Sequence, residues 1–265
     1  MDNIHFTDEA IVGLIMQGAL MIILPVVLLI IWKVKTHEKI LPVIVGAATW
    51  FLFAILLKLA PAYFLLYADN PVAKTISGNV WLTFILAGVL AGVFEETGRF
   101  VAYKTVLKNY GNRRTSLSYG IGHGGFESAY IGFQTFYMAV VGIMINGGMA
   151  EQILGNTDPA MIETALGQLD QQANLTIAEC LLGVYERIPS IAVHIALSVL
   201  VFAAAWNRKY LYLYPLAMLL HAAVDFSIVF YSAGLVPAWV IELIITVIAA
   251  ALSVYAVRVY KRLDE

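Results

Sequence analysis

Glu95, Glu96, Arg99, Glu127, Glu186, Arg187 and Asp225, with His123, His194 and His221, fall inside stretches of otherwise apolar sequence. At roughly 3 kcal/mol per charge at a bilayer centre, seven unpaired charges would cost on the order of 20 kcal/mol. A membrane chain tolerates them only where they meet in a protein-lined or water-filled site. Carboxylates beside imidazoles are the side chains that move protons, activate water and bind divalent metals.

The spacings are those of helix faces. In Phe94-Glu95-Glu96-Thr97-Gly98-Arg99, Arg99 is four residues from Glu95 and three from Glu96, so it can reach either carboxylate and leave the other free. His123 and Glu127 are separated by four, as are His221 and Asp225. Imidazole and carboxylate at that spacing suit a zinc ligand set, or a ligand and the acid that orients it. His194 follows Glu186 and Arg187 by eight and seven residues, which returns to nearly the same face. Gly120, Gly122, Gly124 and Gly125 surround His123. Small residues let membrane helices approach closely, and here they could bring this helix against the one bearing Glu95.

The elements that position these residues are membrane helices. The chain has 265 residues, is 61% hydrophobic and has a mean hydropathy of +0.81, well above the roughly 45–50% apolar content of soluble domains. The pattern predicts an all-α polytopic bundle of seven spans, approximately 9–32, 40–66, 80–104, 116–146, 175–206, 210–232 and 237–260. The fourth and fifth are long, and Pro61 and Pro189 are candidate kink points. Residues 1–265 read as one integral-membrane domain, with the site carried by about 80–232.

Lys33, Lys35, Lys39, Lys104, Lys108, Arg113, Arg114, Arg208, Lys209, Arg258, Lys261 and Arg262 share one set of connections; they are 12 of the 16 basic residues. This predicts an outside N-terminus and a cytoplasmic C-terminus. The expected location is a bacterial or archaeal cell membrane. The N-terminal residues carry no Lys or Arg before the first apolar run, which argues against a cleaved signal peptide. The outward connection 147–174 contains Asp158-Pro159, a helix start, followed by an apolar face of Met161, Ile162, Ala165, Leu166 and Leu169. A short amphipathic helix is expected there.

At 1.5 Å per residue, Glu95 and His123 lie roughly 14 Å from Lys104 and Arg114. His221 is roughly 18 Å from Lys209, and His194 roughly 21 Å from Arg208. All four occupy the cytoplasmic-to-middle part of the membrane. Glu186 and Arg187 lie deeper and read as a structural ion pair, with Lys58 snorkelling or pairing with an acid nearer the outer side. A net charge of −2 gives no reason to expect a nucleic-acid partner, and the single cysteine, Cys180, excludes an internal disulfide.

Taken in order, Glu-Glu-x-x-Arg at 95–99, Gly-x-Gly-His-Gly-Gly-x-Glu at 120–127, Glu-Arg at 186–187 with His194, and His-x-x-x-Asp at 221–225 resemble the YhfC-type intramembrane metalloproteases. These look like distant relatives of the CAAX prenyl endopeptidase and bacteriocin-processing family and of the PrsW-type proteases. By that likeness Glu95 corresponds to the water-activating glutamate and Glu96 to its neighbour. His123 corresponds to the histidine of the second motif, and His221 and Asp225 to the closing motif. The bacteriocin-processing relatives place Arg four residues after the second glutamate, whereas Arg99 follows Glu96 by three; Glu127 and His194 are additions to their pattern.

The expectation is an intramembrane endopeptidase acting on a membrane protein or peptide. His123, His194 and His221 would hold zinc or another divalent ion, with Asp225 or Glu127 as fourth ligand or as partner of a ligand. Glu95 would take a proton from water, while Glu96 and Arg99 orient it. The chain contains no His-Glu-x-x-His, Gly-x-Ser-x-Gly or Gly-x-Gly-Asp motif of other membrane proteases. A proton-coupled transporter or channel, and a non-catalytic scaffold with buried ion pairs, are the alternatives.

Overall fold

The structure, a computed structural model, describes residues 4–155 and 159–264. Regular structure among them is entirely helical, and seven helices are long and apolar enough to cross a bilayer. They are Asp8–Thr36, Leu41–Tyr67, Val80–Lys104, Arg114–Asn146, Ile177–Trp206, Arg208–Ser232 and Ala238–Lys261. Each expected span has its counterpart, with ends shifted by a few residues.

Side-chain caps set several of the starts. Asn79 Oδ1 accepts the backbone N–H groups of Trp81 and Leu82 and opens the third span. Thr176 and Glu179 form a reciprocal capping box at the fifth, with Glu179 Oε2 2.9 Å from Thr176 N and Thr176 Oγ1 3.3 Å from Glu179 N. The second span is not uniformly α-helical. It widens into π-helical turns at Phe51–Leu57 and Tyr63–Tyr67, on either side of the α-helical Lys58–Ala62 that contains Pro61. Pro61 has no N–H to donate and its ring crowds the preceding turn, a disturbance that wider turns accommodate. The fifth span runs through Pro189 as one continuous helix.

Packing divides the chain into two compact units. One comprises the N-terminal segment up to Val26 together with Ser128–Arg187. In it, Asn146 exchanges two hydrogen bonds with the backbone of Phe6, 2.9 and 2.8 Å long. The fully buried Phe6 packs with Leu14, Ala139 and Ile145. The expected amphipathic helix is present as Pro159–Ala173, with Leu169 buried in the same core and Ala165 and Leu166 against it. Asp158 lies outside the described residues.

The second unit, Val27–Glu127 and Ile188–Glu265, contains every residue of the candidate site. Its centre is the fifth span, where Val193, Ala196, Leu197 and Val199–Ala205 are buried. Around it pack Ala102 and Tyr103 of the third span, Tyr119 of the fourth, Leu213 and Ala217 of the sixth, and Leu252 and Ala256 of the seventh.

Small residues bring the site-bearing helices to backbone contact. Gly88 and Gly92, one helical turn apart, face the carbonyls of Ala222 and Met218, so the third and sixth spans touch there. Three of the glycines around His123 serve neighbours other than the one expected. Gly122 lies on Val43 of the second span, whereas Gly120 and Gly124 lie on Ile195 and His194 of the fifth. Alternate residues point to different sides of a helix, so this run opens two contacts at once, and neither is to the helix bearing Glu95.

A Cβ at Gly122 would lie 2.0 Å from Val43 O and 2.7 Å from Val43 Cα, and backbone cannot swing aside. Gly122→Ala should therefore destabilise the protein by about 1–3 kcal/mol or more, read as a lower thermal unfolding midpoint in detergent. Gly167→Ala, where nothing lies within 4 Å of the added carbon, should be neutral or stabilising by up to about 1 kcal/mol.

Candidate active site

The third span contributes Glu95, Glu96 and Arg99, the fourth His123 and Glu127, the fifth His194, and the sixth His221 and Asp225. The Gly88/Gly92 contact sets Glu95 and Glu96 against His221, and the Gly124 contact sets His123 beside His194. The three imidazoles form a row, with ring centres 5.1 Å apart for His123–His194 and 5.4 Å for His194–His221.

Arg99 is the hub. Its Nη1 lies 3.4 Å from Glu96 Oε1 and donates to the His194 carbonyl at 3.2 Å, while Nη2 lies 2.6 Å from His194 Nδ1. A guanidinium can only donate, so His194 Nδ1 accepts. In the neutral ring the proton then sits on Nε2, which donates to Glu127 Oε2 at 2.8 Å. The indole N–H of Trp50 reaches the same oxygen at 2.9 Å. His194 is thus held at both ring nitrogens, between a cation and a carboxylate.

His221 is held differently. Its Nδ1–H donates to Glu96 Oε1 at 2.7 Å, which in the neutral ring leaves the lone pair on Nε2. That Nε2 faces Glu95 Oε2 at 3.9 Å and Asp225 Oδ2 at 3.8 Å. Glu95 Oε2 is also 3.0 Å from His123 Nε2, so two imidazole nitrogens flank one carboxylate oxygen. Of the two glutamates within reach of Arg99, Glu96 is the one it pairs with, and Glu95 is turned toward the histidines.

The surroundings are nearly sealed. Glu96, Arg99 and His123 are fully buried, and Glu95, His194 and His221 nearly so. Asp225, with 37% of its side chain exposed, and Glu127, with 16%, mark the open side. Lys58 Nζ is 3.9 Å from Glu95 Oε1. The sequence placed Lys58 toward the outer side, but its position between the π-helical turns brings it to Glu95 instead. Trp50 carries no sequence signal beyond an indole within an apolar span. Glu186 and Arg187 belong to the other unit and pair with each other, Arg187 Nε lying 2.7 Å from Glu186 Oε2.

These partners allow the charge to be counted. Glu95, Glu96, Glu127 and Asp225 carry four formal negative charges against two positive on Arg99 and Lys58, leaving −2 with neutral histidines. A divalent cation would offset that excess. Glu95, His194 and His221 each offer a donor atom within 4.8 Å of the others, and imidazole with carboxylate is a donor set suited to zinc. His123 Nδ1 and Glu96 Oε2 are buried without a hydrogen-bond partner, further polar groups with capacity for the site. The residues present fit a divalent metal.

Residues 20–246 match the family described as YhfC intramembrane metalloprotease. The chain is 35% identical over 259 residues to the Bacillus subtilis (strain 168) protein described as "Uncharacterized membrane protein YhfC", covering 97% of this chain and 98% of that one. No solved structure matches. With most of its length matched on both counts, this multi-pass membrane protein belongs to the YhfC intramembrane metalloprotease family.

Proposed function

We propose that the protein is an intramembrane endopeptidase of the cell membrane that hydrolyses peptide bonds of membrane-associated substrates with water activated by Glu95. The observation that carries this reading is the pose of His221: Nδ1 is tied to Glu96, and Nε2 faces the space shared by Glu95 and Asp225, inside a bundle of seven membrane helices. The family description supports the same class of activity.

In this reading His221 Nε2 and the Asp225 carboxylate would hold a divalent metal, zinc being the expected one, while His123 donates from Nε2 to Glu95 and orients it. When bound, the ion polarises the scissile carbonyl and makes water a better nucleophile near neutral pH. Glu95 takes the proton of the attacking water and delivers it to the leaving amine. Glu96 fixes the tautomer of His221, and Arg99 fixes Glu96. Lys58 balances Glu95 from the other side. His194, a ligand in the sequence reading, serves as the bridge from Arg99 to Glu127, because ligation through Nε2 would require that nitrogen to lose the proton it donates. Substrate and water enter from the side where Asp225 is exposed. The distribution of basic residues favours an outside N-terminus and a cytoplasmic C-terminus.

The line from Glu127 through His194, Arg99 and Glu96 to His221 could also be read as a proton path. Arg99 interrupts it, since a guanidinium does not give up its proton in proteins. The peptidase reading is therefore preferred over proton-coupled transport.

Glu95→Gln should lower cleavage of membrane-protein substrates in proteoliposomes by at least about 10²-fold, measured by mass spectrometry of newly formed N-termini, while the protein stays folded. Undiminished cleavage would remove Glu95 from the chemistry. Metal content tests the ligand assignment separately. About one zinc per chain is expected in protein purified without chelator, lost in His221→Ala and retained in His194→Gln. A glutamine at 194 can accept from Arg99 through its carbonyl and donate to Glu127 through its amide, so it replaces a bridge but not an imidazole ligand. Loss of zinc in folded His194→Gln would return His194 to the ligand set.

A further inference from the structure

Away from the site, a groove of about 510 Å³ runs between the start of the fourth span, the fifth span and the end of the seventh. Ala192, Ala196 and Ala256 form its floor, where short side chains leave room, and Leu117, Val199 and Val257 line its sides. Its charged lining residues are Arg113 and Lys261, both cations, with no acid among the lining. They mark one end: Arg113 immediately precedes the fourth span and Lys261 is the last residue of the seventh. From there the groove continues along the seventh span to Ser253, roughly 12 Å at 1.5 Å per residue. The guanidinium of Arg113 is held in place, 4.4 Å from the centre of the Tyr260 ring with Nη1 donating to the Tyr260 carbonyl at 3.2 Å. Lys261 is solvent-exposed.

We propose that this groove binds one anionic phospholipid, its phosphate between Arg113 and Lys261 and one acyl chain along the alanine floor. The charges sit at the membrane boundary, the level of lipid phosphates, and the uncharged remainder runs into the depth occupied by acyl chains. Basic pockets between membrane helices on the side richest in Lys and Arg are suited to anionic headgroups. A groove of about 510 Å³ and roughly 12 Å length takes the headgroup-proximal part of one acyl chain and leaves the rest in the bilayer. A zwitterionic lipid would bring its own cation to the same two basic residues, so the site should select for net negative charge. This inference is independent of the peptidase reading.

The experiment is native mass spectrometry of protein released from nanodiscs of equimolar phosphatidylcholine and phosphatidylglycerol with identical chains. The wild type should retain phosphatidylglycerol over phosphatidylcholine by about tenfold, in line with the attraction expected of two cations at a membrane surface. Arg113→Gln/Lys261→Gln should bring that ratio close to unity. Lys261→Gln alone, at a solvent-exposed helix end, should lower it by about threefold. Val257→Trp fills the groove from its half-exposed side without touching either cation, and should reduce retention of both lipids. Equal retention of the two lipids by the wild type would overturn the proposal, as would an unchanged ratio in Lys261→Gln or undiminished adducts in Val257→Trp. Displacement of phosphatidylglycerol by excess inorganic phosphate would overturn it too, since the acyl chain would then contribute nothing.

Discussion

The guanidinium of Arg99 is a fully buried charge inside a membrane span, and the arrangement of the site follows from the acceptors it meets. Removing such a group from water costs several kcal/mol, recovered only through well-placed acceptors. Two of its acceptors, the ring and the carbonyl of His194, come from the fifth span, and one, Glu96, from its own helix. Each acceptor is thereby committed, and each commitment propagates. Glu96, held by Arg99, accepts the hydrogen bond of His221 Nδ1; His194, held by Arg99, turns its Nε2 to Glu127. One buried cation thus fixes the orientation of two histidines on two further helices.

Such a network requires helices closer together than ordinary side chains permit. Gly88 and Gly92 remove the side chains that would separate the third span from the sixth, and Gly120, Gly122 and Gly124 do the same for the fourth against the fifth and second. In a bilayer there is no hydrophobic force between helices, so close backbone contact and interhelical polar bonds are the available sources of association. Both are found here, one turn apart on the same helices. The π-helical turns beside Lys58 add a third device, aiming a cation from the second span at Glu95.

The spans were legible in the sequence because apolar length is a strong and local signal, and the site residues because charge within such lengths is costly. The capping box at Thr176–Glu179 can likewise be read directly. What the sequence does not contain is the rotation of one helix against another. Arg99 is equally able to reach Glu95 or Glu96 by spacing, and only the position of His194 decides for Glu96. The run of glycines announces close packing without naming the neighbour. The sequence places Lys58 nearer the outer side, snorkelling or pairing with an acid there, whereas the second span carries π turns around Pro61 and Lys58 meets Glu95.

Lys58 shows the value of knowing partners before counting charge. Counted from the sequence, five acids face two arginines, a balance of −3. Glu186 and Arg187 cancel as a pair and leave that balance unchanged, whereas Lys58, brought to Glu95, makes it −2. That residual charge is unevenly placed. Glu95, Glu96 and Glu127 each have an imidazole donor within 3.0 Å, whereas Asp225 Oδ2 stands 3.8 Å from His221 Nε2. The negative charge least offset by internal pairing is therefore that of Asp225, on the open side of the site, where a cation and a water molecule can reach it.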